Sequence, residues 1–273
     1  MSSKISLAGD LGSGKSTVSD ILINRLGASY YSTGTKVRAI AERMGMSVVE
    51  LNKYMESHPE IDTEIDDGLV ALSEESGNWV IDSRMAWHFT KGTFKVYLST
   101  DIETSALRIM NAHRRGEHSA TLEETIASTR ARRLSEQTRY MTQYGVDIKD
   151  LSNYSLIVDT TKATPDEVAG VILSSLSIWE QKEDFSCCYI SPERLYYPDD
   201  APDMDKLSRY SSALEMGEEM PEITVFEKDG DFHLESGLEV ALAYAFAMST
   251  FIPARLVRSE IGDRSFVRMK DSI

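Results

Sequence analysis

"ISLAGDLGSGKSTVSD", Ile5 to Asp20, decides the fold. A short apolar run enters a glycine-rich turn, and the turn ends in Lys15-Ser16-Thr17 ahead of a helical pattern. Gly9-x4-Gly14-Lys15-Ser16 satisfies the P-loop pattern. Gly9, Gly12 and Gly14 let the backbone wrap tightly, so that successive amides face one point at a helix N-terminus, where the dipole also favours an anion. The phosphate-binding candidates are therefore Gly9, Gly12, Ser13, Gly14, Lys15, Ser16 and Thr17. Lys15 would reach the β- and γ-phosphates, and Ser16 would place its hydroxyl on a metal ion, so ATP and Mg²⁺ are the expected cofactors. The alternative is a glycine-rich turn without a ligand; the strand before it and the helix after it argue against that.

The rest of the chain bounds what such a loop serves. With 273 residues, two domains are expected. A net charge of −15 argues against a general nucleic-acid binder, because duplex binding rests on lysine and arginine meeting phosphates. The only two cysteines, Cys187 and Cys188, are adjacent and cannot form a disulfide framework. Met1-Ser2-Ser3-Lys4 leads straight into a strand pattern without the regions of a signal peptide. The longest apolar run, "VALAYAFAM" at 240–248, is too short to span a bilayer. A soluble cytoplasmic protein is expected, with no membrane and no nucleic-acid partner.

Short strands are expected at 4–9, 28–33, 78–83, 94–100 and 154–161, alternating with helices. Ser47 with Glu50, Thr121 with Glu124, and Thr164 with Glu167 form capping boxes that start three of those helices. Alternation of this kind implies right-handed crossovers and a parallel sheet. The pattern stops near Glu180. The polar, then small, stretch 181–188 reads as a linker. Beyond it, "ITVFEKDGDFHLES" (223–236) reads as a hairpin, and Ser236 with Glu239 as the cap of a helix to about Ser249. The expected class is an α/β P-loop kinase fold over 1–180, with a five-stranded parallel sheet and an arginine-rich helical lid. A small α+β domain over 189–273 follows. From 181 onward there are 19 acids and 10 bases, against 25 and 19 before, so the negative charge is concentrated in the C-terminal part.

The chain has no Asn-Lys-x-Asp guanine reader, which leaves a small kinase that moves a γ-phosphoryl group. Three stretches could hold its acceptor. "YYSTGTKVR" (30–38) carries Ser32, Thr33 and Arg38, and "VIDSR" (80–84) carries Asp82 and Arg84. Both follow strands and so lie at the carboxyl edge of the sheet, where ligands bind in open α/β folds. Arg132, Glu136 and Arg139, spaced by four and three, share one helix face. A solvated helix with salt-bridge spacing looks the same. Arg114, Arg115, Arg130 and Arg133 tip the balance toward anion binding, since transfer between phosphates needs positioned cations. Asp82 reads as a hydrogen-bonding or Mg²⁺-water partner, or as a strand-end cap.

Residues 4 to about 178 resemble a cytidylate kinase, especially the short, archaeal-type form. The matching pieces are "GDLGSGKST", "YYSTGTKVRAIAERMGMSVVELNKY", "HPEIDTEID", the "DSR" stretch and "SEQTRYMTQYGVDIKDLSNYSLIVDTT". The resemblance implies phosphoryl transfer from ATP to CMP or dCMP. It implies that Ser32 and Arg38 line the monophosphate site, that Arg84 and Arg139 meet its phosphate, and that Arg132 and Glu136 lie near the ribose. It also implies that Arg114 and Arg115 close over the transferred group, which with Lys15, Arg84 and Arg139 makes the catalytic set. The family usually has glycine where this chain has Ser83, which bears on base selectivity. Residues 189–257 weakly resemble a ParB/sulfiredoxin-like module, but Gly237 is followed by Leu238-Glu239-Val240 where nucleotide-binding members carry paired arginines. The acidic C-terminal part is the candidate surface for a protein partner or for self-association.

Two further functions stay open at this point. One is a P-loop kinase for another small acceptor. The other is a nucleotide-sensing regulatory protein whose C-terminal part binds a partner.

Overall fold

The structure, a computed structural model, describes residues 3–55, 57–112, 121–182, 185–258 and 265–271. β1 (Lys4–Gly9) runs into the glycine turn and α1 (Lys15–Leu26), and β2 (Ser29–Ser32) follows. Three helices come next, α2 (Thr33–Met44), α3 (Val48–Met55) and α4 (Pro59–Ala71). β3 (Trp79–Asp82), the short α5 (Ala86–Phe89) and β4 (Thr93–Ser99) lead to α6 (Ile102–Asn111) and the long α7 (Leu122–Tyr144). β5 (Leu156–Asp159) and α8 (Pro165–Trp179) complete the alternation.

The remaining elements are β6 (Cys187–Ile190), β7 (Leu195–Pro198), α9 (Met204–Glu215), β8 (Ile223–Lys228), β9 (Asp231–Ser236), α10 (Leu238–Phe246), β10 (Ile252–Leu256) and β11 (Phe266–Arg268). The capping boxes of α7 and α8 are present as reciprocal side-chain and backbone bonds. So is the Ser47–Glu50 pair before α3.

All described strands form one sheet, ordered β11-β7-β9-β8-β10-β6-β5-β4-β1-β3-β2. From β2 through β6 every pairing is parallel, with Ile5 opposite Val80 on one side and Phe94 on the other. Five parallel strands were expected; the parallel run has a sixth, β6, which straddles the end of the expected linker (181–188) and the start of the expected C-terminal domain. Leu156 pairs with Cys187 and Val158 with Tyr189, so the sheet continues directly into the C-terminal third. The physical reason is apolar burial. "CCYI" alternates, Cys188 and Ile190 being fully buried, and a strand with one apolar face must pack it against something.

Two apolar clusters show how the layers close. α1 and α8 cover one face of the sheet through Val18, Leu22, Val168, Ile172 and Leu176, packed on Leu7, Val96, Leu98 and Val158. The other face carries a cluster that spans both parts of the chain. Tyr97, Tyr154 and Ile157 join Cys188, Ile190, Leu207 of α9 and Val240 to Ala243 of α10. A smaller cluster of Ile40, Leu51, Met55, Ile61 and Ile65 welds α2, α3 and α4 into a unit beside β2.

The hairpin forms as its sequence predicts, with Asp229 (φ 55°) and Gly230 (φ 91°) both left-handed at the turn. The Ser236–Glu239 cap is corrected. Gly237 (φ 94°) is the N-cap of α10, and Ile223 would meet a Cβ placed there. Ser236 Oγ instead bonds Thr224 Oγ1 across the hairpin at 2.7 Å, and Glu239 accepts from the amide of Asp203 at 3.1 Å. Among the described residues no helix is long and apolar enough to cross a membrane.

Candidate active site

Parallel strands bring their carboxyl ends to one edge, and there Lys15, Arg84, Arg132 and Glu136, four of the sequence-predicted residues, come together. β1 ends at Gly9 (φ 151°), where a side chain would strike the carbonyl of Leu98 on β4. The chain must therefore turn at once. Gly12 (φ 72°) abuts the carbonyl of Ser105, and Gly14 (φ 81°) opens α1. No side chain caps α1, so its first amides keep their donors for an anion. Ser13 holds the turn from within: its Oγ donates to the carbonyl of Asp10 at 2.8 Å. Ser16 and Thr17 stand exposed on the first turn of α1.

Lys15 Nζ donates to the carbonyls of Gly9 (3.1 Å) and Asp10 (3.0 Å). Burial pulls this ammonium down to about 8; Asp82, Asp10 and Glu136 pull upward, and Arg84 adds to the lowering. Lys15, Asp82, Arg84 and Glu136 thus sense one another's charge. Arg84, just past β3, lies 2.5 Å from Glu136 on α7 through its Nε, and Arg132 lies 3.3 Å from the other oxygen of the same carboxylate. Burial by itself raises Glu136, but the guanidiniums of Arg84 and then Arg132 hold it below the usual carboxylate range. The helix-face spacing of Arg132, Glu136 and Arg139 therefore points into the site rather than to solvent. Arg139 sits one turn further along, donating to Tyr140 Oη at 3.2 Å and lying 4.0 Å from Asp62 on α4.

On the β2 side, Ser32 is the N-cap of α2, accepting from the amide of Thr35 at 3.3 Å. Ser32 Oγ and the Arg38 guanidinium would each lie 3.6 Å from a Cβ placed on Gly34, and Arg38 bonds Thr35 Oγ1 at 3.0 Å on an exposed face. Asp82 accepts from Tyr30 Oη at 3.3 Å, and its carbonyl faces Thr33 Oγ1 at 3.5 Å. Arg130 is exposed. Arg114 and Arg115 lie outside the described residues.

Several residues that composition and spacing did not single out complete the site. Asp10, inside the P-loop, is buried and accepts from Tyr97 Oη (2.9 Å) and the amide of Thr100 (3.1 Å). Its carboxylate also contacts Lys149 Nζ and lies 3.7 Å from Arg133. Burial raises this carboxyl, but Lys149 and Arg133 together bring it well below the usual range. A carboxylate among phosphate-facing amides requires such cations, and that requirement was the signal available in "GDLGSGKST". Asp62 is buried too, and its Oδ2 makes no hydrogen bond among the described residues. Arg108 on α6 donates to the carbonyl of Thr160 at 2.7 Å and reaches the carbonyl of Gly12 at 3.4 Å. Arg108, Thr160, Gly14, Thr17 and Pro165 line a cleft of about 320 Å³ beside the P-loop. A second, small recess of about 20 Å³, room for about one water, lies between Gly9, Arg84, Arg133, Glu136 and Lys149.

The sequence model of the family described as cytidylate kinase-like matches residues 4–162. The chain belongs to the cytidylate kinase-like family. A cytidylate kinase of Thermoplasma volcanium is 36% identical over 187 residues, which is 67% of this chain and 96% of that protein. A cytidylate kinase of Pyrococcus horikoshii is 35% identical over 173 residues, 63% of this chain and 87% of that protein. Among solved structures, a shikimate kinase from Bacteroides thetaiotaomicron superposes with a TM-score of 0.46 at 13% identity, covering 64% of this chain and 98% of that one. The family's phosphotransferase core thus occupies the part of this chain that carries the P-loop, Arg84 and Glu136, while about a third of the chain lies outside those alignments.

Proposed function

We propose that this chain transfers the γ-phosphoryl group of ATP to CMP or dCMP. The observation that carries the proposal is the convergence of Lys15, Arg84, Arg132 and Glu136 on one sheet edge opposite uncapped P-loop amides. The amides of Gly12 to Thr17 and Lys15 would cradle the donor phosphates, and the cleft beside Arg108 is the place for the donor base. Arg84 and Arg139 would bind the acceptor phosphate, with Ser32 and Arg38 lining its pocket and Arg132 and Glu136 beside its sugar. The acceptor is already an anionic oxygen, so no general base is needed. That oxygen attacks the γ-phosphorus, the bond to the β,γ-bridging oxygen breaks, and ADP leaves.

The donor set suits a magnesium ion. The exposed hydroxyl of Ser16 and the carboxylate of Asp82 are hard oxygen ligands, few in number, as expected for an ion that keeps several waters and shares substrate phosphates. When bound, that ion supplies charge neutralisation on the β- and γ-oxygens. Lys15, Arg84 and Arg139 do the rest electrostatically, each fixed before the substrates arrive. Arg114 and Arg115 would add to this field by closing over the transferred group. The preference for CMP or dCMP over UMP rests on the likeness to the cytidylate kinases of Thermoplasma volcanium and Pyrococcus horikoshii.

The test is a coupled assay of ATP with CMP, dCMP, UMP and AMP on the full chain. Turnover of CMP or dCMP at least tenfold above UMP is expected. Turnover of UMP alone, or of none of the four, overturns the assignment. Two reduced thiols and these substrates suit the cytoplasm as its place of work.

A further inference from the structure

We propose that Arg194, contributed by the chain beyond the family match, is a positioning residue for the donor nucleotide. This role presupposes ATP as the donor, as proposed above. β6 runs parallel to β5, so the chain leaves it at the same edge as the P-loop. The turn Pro192–Arg194 follows immediately, and Arg194 is 1% exposed. One guanidinium nitrogen donates to Ser99 Oγ (2.8 Å) at the end of β4 and to Asp159 Oδ1 (3.2 Å) at the end of β5. The other donates to the carbonyl of Gly230 in the hairpin turn, and Nε faces Asp231 at 3.8 Å.

Asp159 is the link to the nucleotide side. It is fully buried, and among the described residues its ion pair is with Arg194. Asp159 Oδ1 also accepts from the amide (3.0 Å) and the hydroxyl (2.6 Å) of Thr161, and Oδ2 accepts from the amide of Ser191 (3.1 Å). The Thr160–Thr161 turn is thereby fixed. Its two carbonyls accept from Arg108 at 2.7 and 3.4 Å, and Arg108 also touches the carbonyl of Gly12. Arg108, Thr160 and Gly12 all line the cleft assigned to the donor base. A buried carboxylate needs a cation with several aligned donors, and a planar guanidinium fork meets that need where an ammonium does not. The C-terminal third thus sets the wall of the donor site without touching the donor.

The experiment compares wild type, Arg194→Lys and the charge-neutral double variant Arg194→Met/Asp159→Asn, all in the full chain. Folding is checked by melting, ATP binding is measured directly by calorimetry without acceptor, and KM is measured for ATP and CMP separately. Both variants should weaken ATP binding and raise KM for ATP at least tenfold. KM for CMP should stay within twofold and kcat within threefold. Equal changes in both KM values, or no change in ATP binding, overturn the proposal. If neither variant folds, Arg194 is a structural strut and the proposal falls. A wild-type chain that binds no ATP sinks the donor assignment instead, which separates the two failures.

Discussion

ATP binding to this protein should take up a proton in mildly alkaline solution. Burial brings Lys15 down to about 8 in the free protein. At pH 7 about nine Lys15 side chains in ten are therefore charged, and at pH 9 about one in ten. A polyphosphate favours the charged form, so the bound state moves the ammonium upward and the missing proton comes from solvent. Uptake should approach about 0.9 proton at pH 9, and affinity there should be about tenfold weaker than at pH 7, or about 1.4 kcal/mol. Calorimetry at pH 9 in two buffers of different ionisation enthalpy gives the proton count directly. Lys15→Arg is the control, because its guanidinium does not titrate in this range. Equal uptake by wild type and Lys15→Arg, or none by wild type, refutes the assignment of a buried, phosphate-facing amine. The same shift has a stability consequence. A lysine whose folded value lies below its unfolded one costs the fold below about pH 8, and that cost fades as pH rises toward its ordinary value near 10.5. Lys15→Met should therefore stabilise the free protein at pH 7 by on the order of 2 kcal/mol while abolishing transfer.

Glu136→Gln removes the carboxylate between Arg84 and Arg132 and should destabilise the free chain by about 2–3 kcal/mol. Inorganic phosphate should restore part of the lost melting temperature by bridging the two guanidiniums, and an unchanged melt with or without phosphate contradicts this. Gly12→Ala forces a side chain into the carbonyl of Ser105 at a left-handed φ; a loss of about 1–3 kcal/mol and of ATP binding is expected, read by melting and calorimetry. Asp66, raised by burial to about 6 although Tyr144 donates to it, is a carboxyl whose stabilising neutral form is lost as pH climbs through 6. Asp66→Asn should accordingly raise the melting temperature more at pH 7.5 than at pH 4.5, by the equivalent of about 1–2 kcal/mol; the opposite order would contradict the assigned shift.

The legible parts of this molecule are those written locally. The glycine spacing fixes β1, the turn and α1, because only those residues allow the left-handed backbone that Gly9, Gly12 and Gly14 adopt. Capping pairs placed α3, α7 and α8 because their bonds span three residues. The Arg132–Glu136–Arg139 face was legible as a face, but its partner was not: nothing local says that Arg84, far away in sequence, meets Glu136. Asp10, Tyr97 and Lys149 escaped notice for the same reason, their mutual bonds spanning 52 to 139 residues. β6 was legible only in part: Cys187 and Cys188 closed the expected linker and Tyr189 opened the expected C-terminal domain, and nothing local says that these four residues pair with β5, a neighbour chosen by tertiary packing. Ser236 lost its expected capping role to a cross-strand partner, a contact set by the register of β8 and β9.

Because β6 zips onto β5, trimming the gene at codon 180 would not release a tidy catalytic fragment. Such a product would present the backbone N–H and C=O groups of Leu156 to Val158 as a naked ladder edge. It would also strip cover from Tyr97, Tyr154 and Ile157 beside it. An unprotected, flat, greasy rim of that sort is a template for clumping chain upon chain, so insolubility of the shortened product would speak to its exposed border rather than to its chemistry.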